Sequence, residues 1–176
     1  MKKPDIVPEF SRPLTIDRIP DDGLDRTLTA KEDERQRLAD RFGLLSLDSL
    51  TAALHVQVVQ RGQVEVSGHL TAEVVQQCVV TLEPLSSRVE CDIDVQCMNE
   101  PDFNPGSSNL ITPDEEDVEP IIDGVINLGE IVAQHFGAAL DPYPRKPGLS
   151  PVNAEYSTNA MNISPLAKLV ELKAKK

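Results

Sequence analysis

A chain of 176 residues, 40% hydrophobic and 26% charged, is long enough to bury a sizeable core and has the balance of a globular protein. With no Trp, 2 Tyr and 4 Phe, that core has to be aliphatic. The formal net charge of −12 opposes simple neutralisation of nucleic-acid phosphates and adsorption to an anionic membrane.

The chain opens on Met1-Lys2-Lys3, but Pro4-Asp5-Ile6-Val7-Pro8-Glu9 follows in place of an apolar stretch, so no signal peptide is expected. No run approaches the roughly 18 apolar residues of a membrane span. Pro4, Pro8, Pro13 and Pro20 punctuate short apolar pieces, which suits an extended edge strand or arm over 4–20. Thr29-Ala30-Lys31-Glu32 reads as a capping box with Thr29 as N-cap and Glu32 reaching back. The helix it starts is expected from Ala30 to about Phe42, with Gly43 as the left-handed terminator and Leu38 and Phe42 as its narrow apolar stripe.

From Leu54 the hydrophobic period becomes two. Leu54, Val56 and Val58 alternate with polar residues, as do Val64, Val66, Leu70, Ala72 and Val74, and then Val89, Cys91, Ile93, Val95 and Cys97. Three half-buried strands of this kind indicate an antiparallel sheet. The inward residues of the first two strands are all even-numbered, so paired positions sum to an even number. A three-residue connection Arg61-Gly62-Gln63 sets that sum at 124 and opposes His55 to His69. Cys78, Val80 and Leu82 are expected as a further inward set, closed by a turn at Glu83–Ser87. The doublets Val74-Val75 and Val79-Val80 suggest a bulge or a strand covered on both faces.

Residues 99–120 hold Pro101, Pro105, Pro113 and Pro120 among Asn, Gly, Ser and acid, and read as a long loop. Between Arg88 and Arg145 there is no Lys or Arg, while Asp114, Glu115, Glu116, Asp117, Glu119 and Asp123 all fall there. Such a block prefers a basic partner or maintains solubility. Ile121-Ile122 suggests one more short strand. Asn127 is expected to cap a helix from Leu128 to about Leu140, with Glu130 as its box partner and Leu128, Ile131, Val132, His135 and Ala139 on one face. Asp141-Pro142-Tyr143-Pro144-Arg145-Lys146-Pro147-Gly148 cannot continue it and forms an extended exit. Ser164-Pro165 then starts a short C-terminal helix with Leu166, Leu169 and Val170 on its apolar face and a basic end. The expected fold is α+β: an antiparallel sheet or partly open barrel with two flanking helices and the short C-terminal one. A single domain over 1–150 is followed by a linker and basic helix over 151–176.

The pattern is poor in chemistry. Three cysteines, an odd number, fit a reducing cytoplasmic location better than a disulfide framework. No CxxC, HxxxH or HExxH spacing marks a metal site, and no GxSxG, P-loop or GxGxxG is present. Cys91 and Cys97 face the expected core, where free cysteine packs as a small hydrophobe. His135, on the apolar face of the second helix, reads as a core histidine. No enzyme, cofactor, catalytic residue, metal ligand or small-molecule substrate is expected. Nor does the sequence offer an aromatic stacking platform for RNA, although Arg145, Lys146, Lys168 and Lys173 supply local positive charge.

The segment Gln77-Cys78-Val79-Val80-Thr81-Leu82-Glu83-Pro84 resembles the YceD family, as do Cys91-Asp92-Ile93-Asp94-Val95, Ile122-Asp123-Gly124 and Leu128-Gly129-Glu130. The exit Leu140–Gly148 is the most specific piece, and Ser164-Pro165-Leu166-Ala167-Lys168-Leu169 is similar to the family's terminal segment. On this resemblance Cys78, Glu83, Pro84, Asp141, Pro142, Tyr143 and Pro144 are family-signature positions. The chain departs from the Cys-x-x-Cys of many members at Cys78-Val79-Val80-Thr81. The resemblance implies a bacterial factor in large-subunit ribosomal RNA accumulation, with ribosomal proteins or precursor rRNA as partners. Acidic Asp114–Asp117 and Glu119 then suit basic ribosomal proteins, and Arg145, Lys146, Lys168 and Lys173 suit RNA. The competing readings are an acidic adaptor unrelated to RNA and a zinc-binding module.

Overall fold

Alternating hydrophobicity becomes three long strands: β3 (Ser46–Gln60), β4 (Gln63–Gln77) and β5 (Pro84–Asn99). The computed structural model describes residues 8–60, 62–99 and 117–148. Leu50, Leu54 and Val56 from β3, Val66, Leu70 and Val74 from β4, and Ile93, Val95 and Cys97 from β5 are buried on one face. The other face carries Glu65, His69, Glu73, Arg88, Asp92 and Asp94 to solvent. Two shorter strands precede and two follow: β1 (Pro13–Thr15), β2 (Leu24–Thr29), β6 (Asp117–Ile121) and β7 (Val125–Asn127). The main sheet has the order β2-β3-β4-β5-β6, and β1 pairs with β7 in a second, two-stranded sheet. All pairs are antiparallel except β5 with β6. The sheet is thus open, with β2 and β6 as its edges, and the fold is α+β as expected.

Helix α1 (Glu32–Phe42) packs on β3 and helix α2 (Leu128–Ala139) on β5. Phe42 and Phe136 meet edge to face, their ring centroids 5.4 Å apart. The arm before β1 buries Phe10 completely and crosses α2 at Gly129, where a Cβ would lie 2.4 Å from the Phe10 carbonyl oxygen. By compactness the chain divides into Met1–Pro144 and Arg145–Lys176. Among the described residues no helix is long and apolar enough to cross a membrane.

Several local expectations are corrected. Helix α1 starts at Glu32 because Thr29, taken as its cap, is the last residue of β2 and pairs with Thr51. The cap position is Lys31, whose backbone N–H donates to Glu34 Oε2 at 2.8 Å; Glu34, not Glu32, reaches back. Gly43 does terminate the helix, at φ +65°. The β3–β4 connection is two residues, 61–62, with an irregularity between Val58 and Gln60. Paired positions therefore sum to 122 through the middle of the ladder, and His55 opposes Ser67 while His69 opposes Ala53. The even parity survives and the histidine pair does not. Cys78–Glu83 is the connection between β4 and β5 and not a strand, and residues 84–87 belong to β5. Residues 117–120 lie in β6 and not in a loop. Helix α2 keeps its expected bounds within a residue, but Asn127 Oδ1 accepts from the Arg12 backbone N–H at 2.8 Å, and Glu130 pairs with Arg41. The asparagine ties the arm to the helix instead of closing a box.

Candidate functional site

Of the charged residues singled out as partner contacts, Asp114, Glu115, Glu116, Lys168 and Lys173 lie outside the described residues, as does the helix expected after Ser164. Asp117 and Glu119 sit on β6, the edge strand. Arg145 is exposed and Lys146 half-buried at the start of the second compact unit.

Two segments about sixty residues apart in sequence, Gln76–Glu83 and Asp141–Pro144, meet at one end of the sheet. The Cys78–Glu83 connection is closed by two backbone bonds, Leu82 N–H to the Cys78 carbonyl and Cys78 N–H to the Glu83 carbonyl, both 2.9 Å. Val79 N–H donates to the Pro144 carbonyl at 2.9 Å, and Gln76 Nε2 to the Asp141 carbonyl at 3.0 Å. Asp141 Oδ1 accepts the Tyr143 N–H at 2.9 Å, an Asx turn that fixes the exit's course. Cys78 and Pro144 are buried at this junction, while Leu82 is 66% and Tyr143 69% exposed.

Leu82 adopts φ +60°, a left-handed conformation that a non-glycine residue occupies at a cost of about 1 kcal/mol or more. Its side chain is mostly in solvent, so little packing is lost with it. Leu82→Gly is expected to raise unfolding stability by about 0.5–1 kcal/mol, read as a higher urea midpoint at unchanged slope. A fall of similar size would mean that the leucine side chain carries the loop.

The two histidines of the sheet sit in separate pairs. His55 Nδ1 lies 2.7 Å from Asp25 Oδ1, and His69 Nδ1 lies 2.8 Å from Asp92 Oδ1. Each histidine is thus engaged with a carboxylate on a different neighbouring strand, Asp25 on β2 and Asp92 on β5, and the two do not oppose each other. Among the described residues no group of three His, Cys, Asp or Glu is placed to hold a metal ion. Burial, reinforced by Asp92, raises the Cys91 thiol pKa, and burial with Glu119 pushes Cys97 up to about 12. Both therefore stay protonated at neutral pH, the opposite of an activated nucleophile.

A cleft of about 460 Å³ lies between α2 and the β6–β7 connection, a feature the sequence reading did not single out. Ile122, Val125 and Ile131 give it an apolar lining, and Glu119, Asp123 and Glu130 contribute carboxylates. The connection is a two-residue hairpin turn with Asp123 at φ +52° and Gly124 at φ +71°, the left-handed pair that suits Asp-Gly. That turn leaves Ile122 58% exposed. A second recess of about 210 Å³ continues along α2 beside Val118 and Ala138, and Glu119 and Gln134 border both. Two sequence signals bear on the cleft: the Ile121-Ile122 doublet before Asp-Gly, and the absence of Lys and Arg from 89–144.

A family model described as "Large ribosomal RNA subunit accumulation protein YceD" matches residues 66–173, which takes in the junction of Gln76–Glu83 with Asp141–Pro144 and β6, β7 and α2. No curated protein and no solved structure matches the chain.

Proposed function

Since the chain belongs to the YceD family, named for large ribosomal RNA subunit accumulation, and is a ribosome biogenesis factor, we propose that it works by binding, without catalysing a reaction. The match to the family over residues 66–173 is the observation that carries this. The thiols held protonated by burial and the histidines divided between separate carboxylates support binding over chemistry. In this reading the contacts are to proteins of the large subunit. With a net charge of −12 the chain repels phosphate and attracts the basic surfaces that ribosomal proteins present to RNA. The acidic positions Asp114, Glu115, Glu116, Asp117 and Glu119 are proposed as part of that contact, within the cytoplasm. Arg145, Lys146, Lys168 and Lys173 are proposed as an auxiliary RNA contact, favoured by the exposure of Arg145 directly after the fixed Asp141–Pro144 exit.

The test is sedimentation of cell extract through a gradient at low and moderate salt, with the chain followed by antibody. The chain is expected to travel with large-subunit precursors, and its depletion to lower large-subunit rRNA relative to small-subunit rRNA. A chain that stays at the top of the gradient at low salt, with rRNA ratios unchanged on depletion, would overturn the reading.

A further inference from the structure

We infer that the cleft between β6, the Asp123–Gly124 turn and α2 is the docking site for a Lys/Arg-rich segment of a large-subunit protein that inserts an aliphatic side chain. The inference rests on the biogenesis reading above and names the partner's chemistry at one place on the surface.

Three observations converge on it. The lining is apolar where a core contact is not needed: Ile122 is 58% exposed, and Val125 and Ile131 stand in the same recess. A soluble domain rarely leaves such a recess unless something fills it. The charged groups along it are all carboxylates, Glu119, Asp123 and Glu130. No Lys or Arg lines either part of the cleft, because β6, β7 and α2 all fall in the stretch between Arg88 and Arg145 that has none. Such a wall repels RNA phosphate and selects a cation.

Glu130 shows how a guanidinium is taken at this wall. It receives Arg41 through two bonds, Nη2 to Oε1 at 2.9 Å and Nη1 to Oε2 at 3.2 Å. That pair is internal, and Glu119 and Asp123 add their carboxylates to the same lining as Ile122, Val125 and Ile131. A segment with Lys or Arg beside one aliphatic residue matches a lining that combines carboxylates with aliphatic side chains. A second copy of the chain is the poorer occupant, since two molecules of charge −12 repel.

The experiment places a photoactivatable crosslinking residue at Gln134, which is exposed and borders both parts of the cleft. The full chain is incubated at physiological salt with the RNA-free protein of purified large ribosomal subunits, and separately with protein-free large-subunit rRNA. A crosslink to a Lys/Arg-rich segment of a ribosomal protein is expected. It should fall about tenfold or more in the Glu119→Lys/Asp123→Lys double variant and in Ile122→Ser, whose side chain is too exposed to be needed for folding. The same crosslinker at Gln57, exposed on the outer face of the sheet, should be silent. Crosslinking to rRNA, crosslinking to a second copy, an absent crosslink, or a yield unchanged in both variants would each overturn the docking site. Gradient sedimentation of the same preparations separates the two levels. Co-sedimentation with large-subunit precursors but no cleft crosslink removes this inference alone, and failure of the unmodified chain to co-sediment removes the biogenesis reading with it.

Discussion

Gly68→Ala is expected to cost the fold about 3 kcal/mol or more, although alanine is intrinsically the better strand residue. Gly68 lies in mid-β4 opposite Leu54 of β3, in line with the inward residues Val66 and Leu70. A Cβ built there would sit 2.1 Å from the Ala53 carbonyl oxygen, 2.9 Å from Leu54 Cα and 3.0 Å from Leu54 Cδ2. Two of those atoms are backbone, so relief requires the central β3–β4 ladder to move. The strand-propensity gain is worth less than 1 kcal/mol and loses. The control is Gly43→Ala at the end of α1. There φ is +65° and a Cβ meets nothing within 4 Å, so only a conformational penalty of about 1 kcal/mol applies. Urea unfolding of both variants reads the difference. A Gly68→Ala midpoint no lower than that of Gly43→Ala would show that the strands separate at little cost, contrary to this geometry.

The second large effect is expected at Glu34, the buried charged residue of α1. Arg12 grips both its oxygens, Nη1 to Oε1 at 2.6 Å and Nη2 to Oε2 at 2.8 Å, while the Lys31 N–H donates to Oε2. Arg12 also accepts the Leu128 N–H through its carbonyl at 3.1 Å, so one arginine joins the arm to the starts of both helices. The Arg12 hydrogen bonds, opposed by burial and helped by the Lys31 N–H, lower the Glu34 pKa from 4.5 to about 2. At about 1.4 kcal/mol per pKa unit, that is on the order of 3 kcal/mol of stability carried by the ionised form. Because the pKa is depressed in the folded state, this contribution is fully present above pH 4.5 and disappears as pH falls towards 2. Glu34→Ala is expected to lose about 3 kcal/mol at neutral pH, since it strands the guanidinium and uncaps the helix. Glu34→Gln should lose less at neutral pH and show a flatter decline between pH 4.5 and 2. A Glu34→Gln curve parallel to that of the unmodified chain over this range would show that other carboxylates set the acid limb.

How much of this was legible depends on whether the signal was periodic. The inward sets of β3, β4 and β5 stood out because apolar residues recur at every second position over 54–58, 64–74 and 89–97, with Gly68 the exception in β4. Parity could be read, but register could not. The irregularity before Gln60 shortens the connection to two residues, and alternation cannot see a residue that leaves the ladder. β2 went unread because Leu28 is its one buried residue and the rest is edge-strand polarity. Thr29 is the better N-cap by residue type, yet its backbone belongs to the ladder with Thr51, so tertiary pairing overrode local preference. The cleft is a junction of β6, the β6–β7 turn and α2, close in sequence, with Pro13 of β1, more than a hundred residues upstream. The sequence carried its charge, the missing Lys and Arg, and the Ile121-Ile122 doublet, but not their meeting in one recess.

The pairing of β1 with β7 has a temporal meaning. Pro13 pairs with Asn127, and the arm that buries Phe10 leans on Gly129, more than a hundred residues downstream. While the chain is being synthesised, β3, β4 and β5 emerge in order and can zip up as neighbours, but their apolar face waits for α2. The arm, made first, is among the last pieces to be seated. Until β7 and α2 are made, every nascent copy therefore passes through an interval in which β5 lacks its helix and the leading strand lacks its partner. That interval, set by elongation rate, is when such a chain depends most on the folding helpers around the exit tunnel.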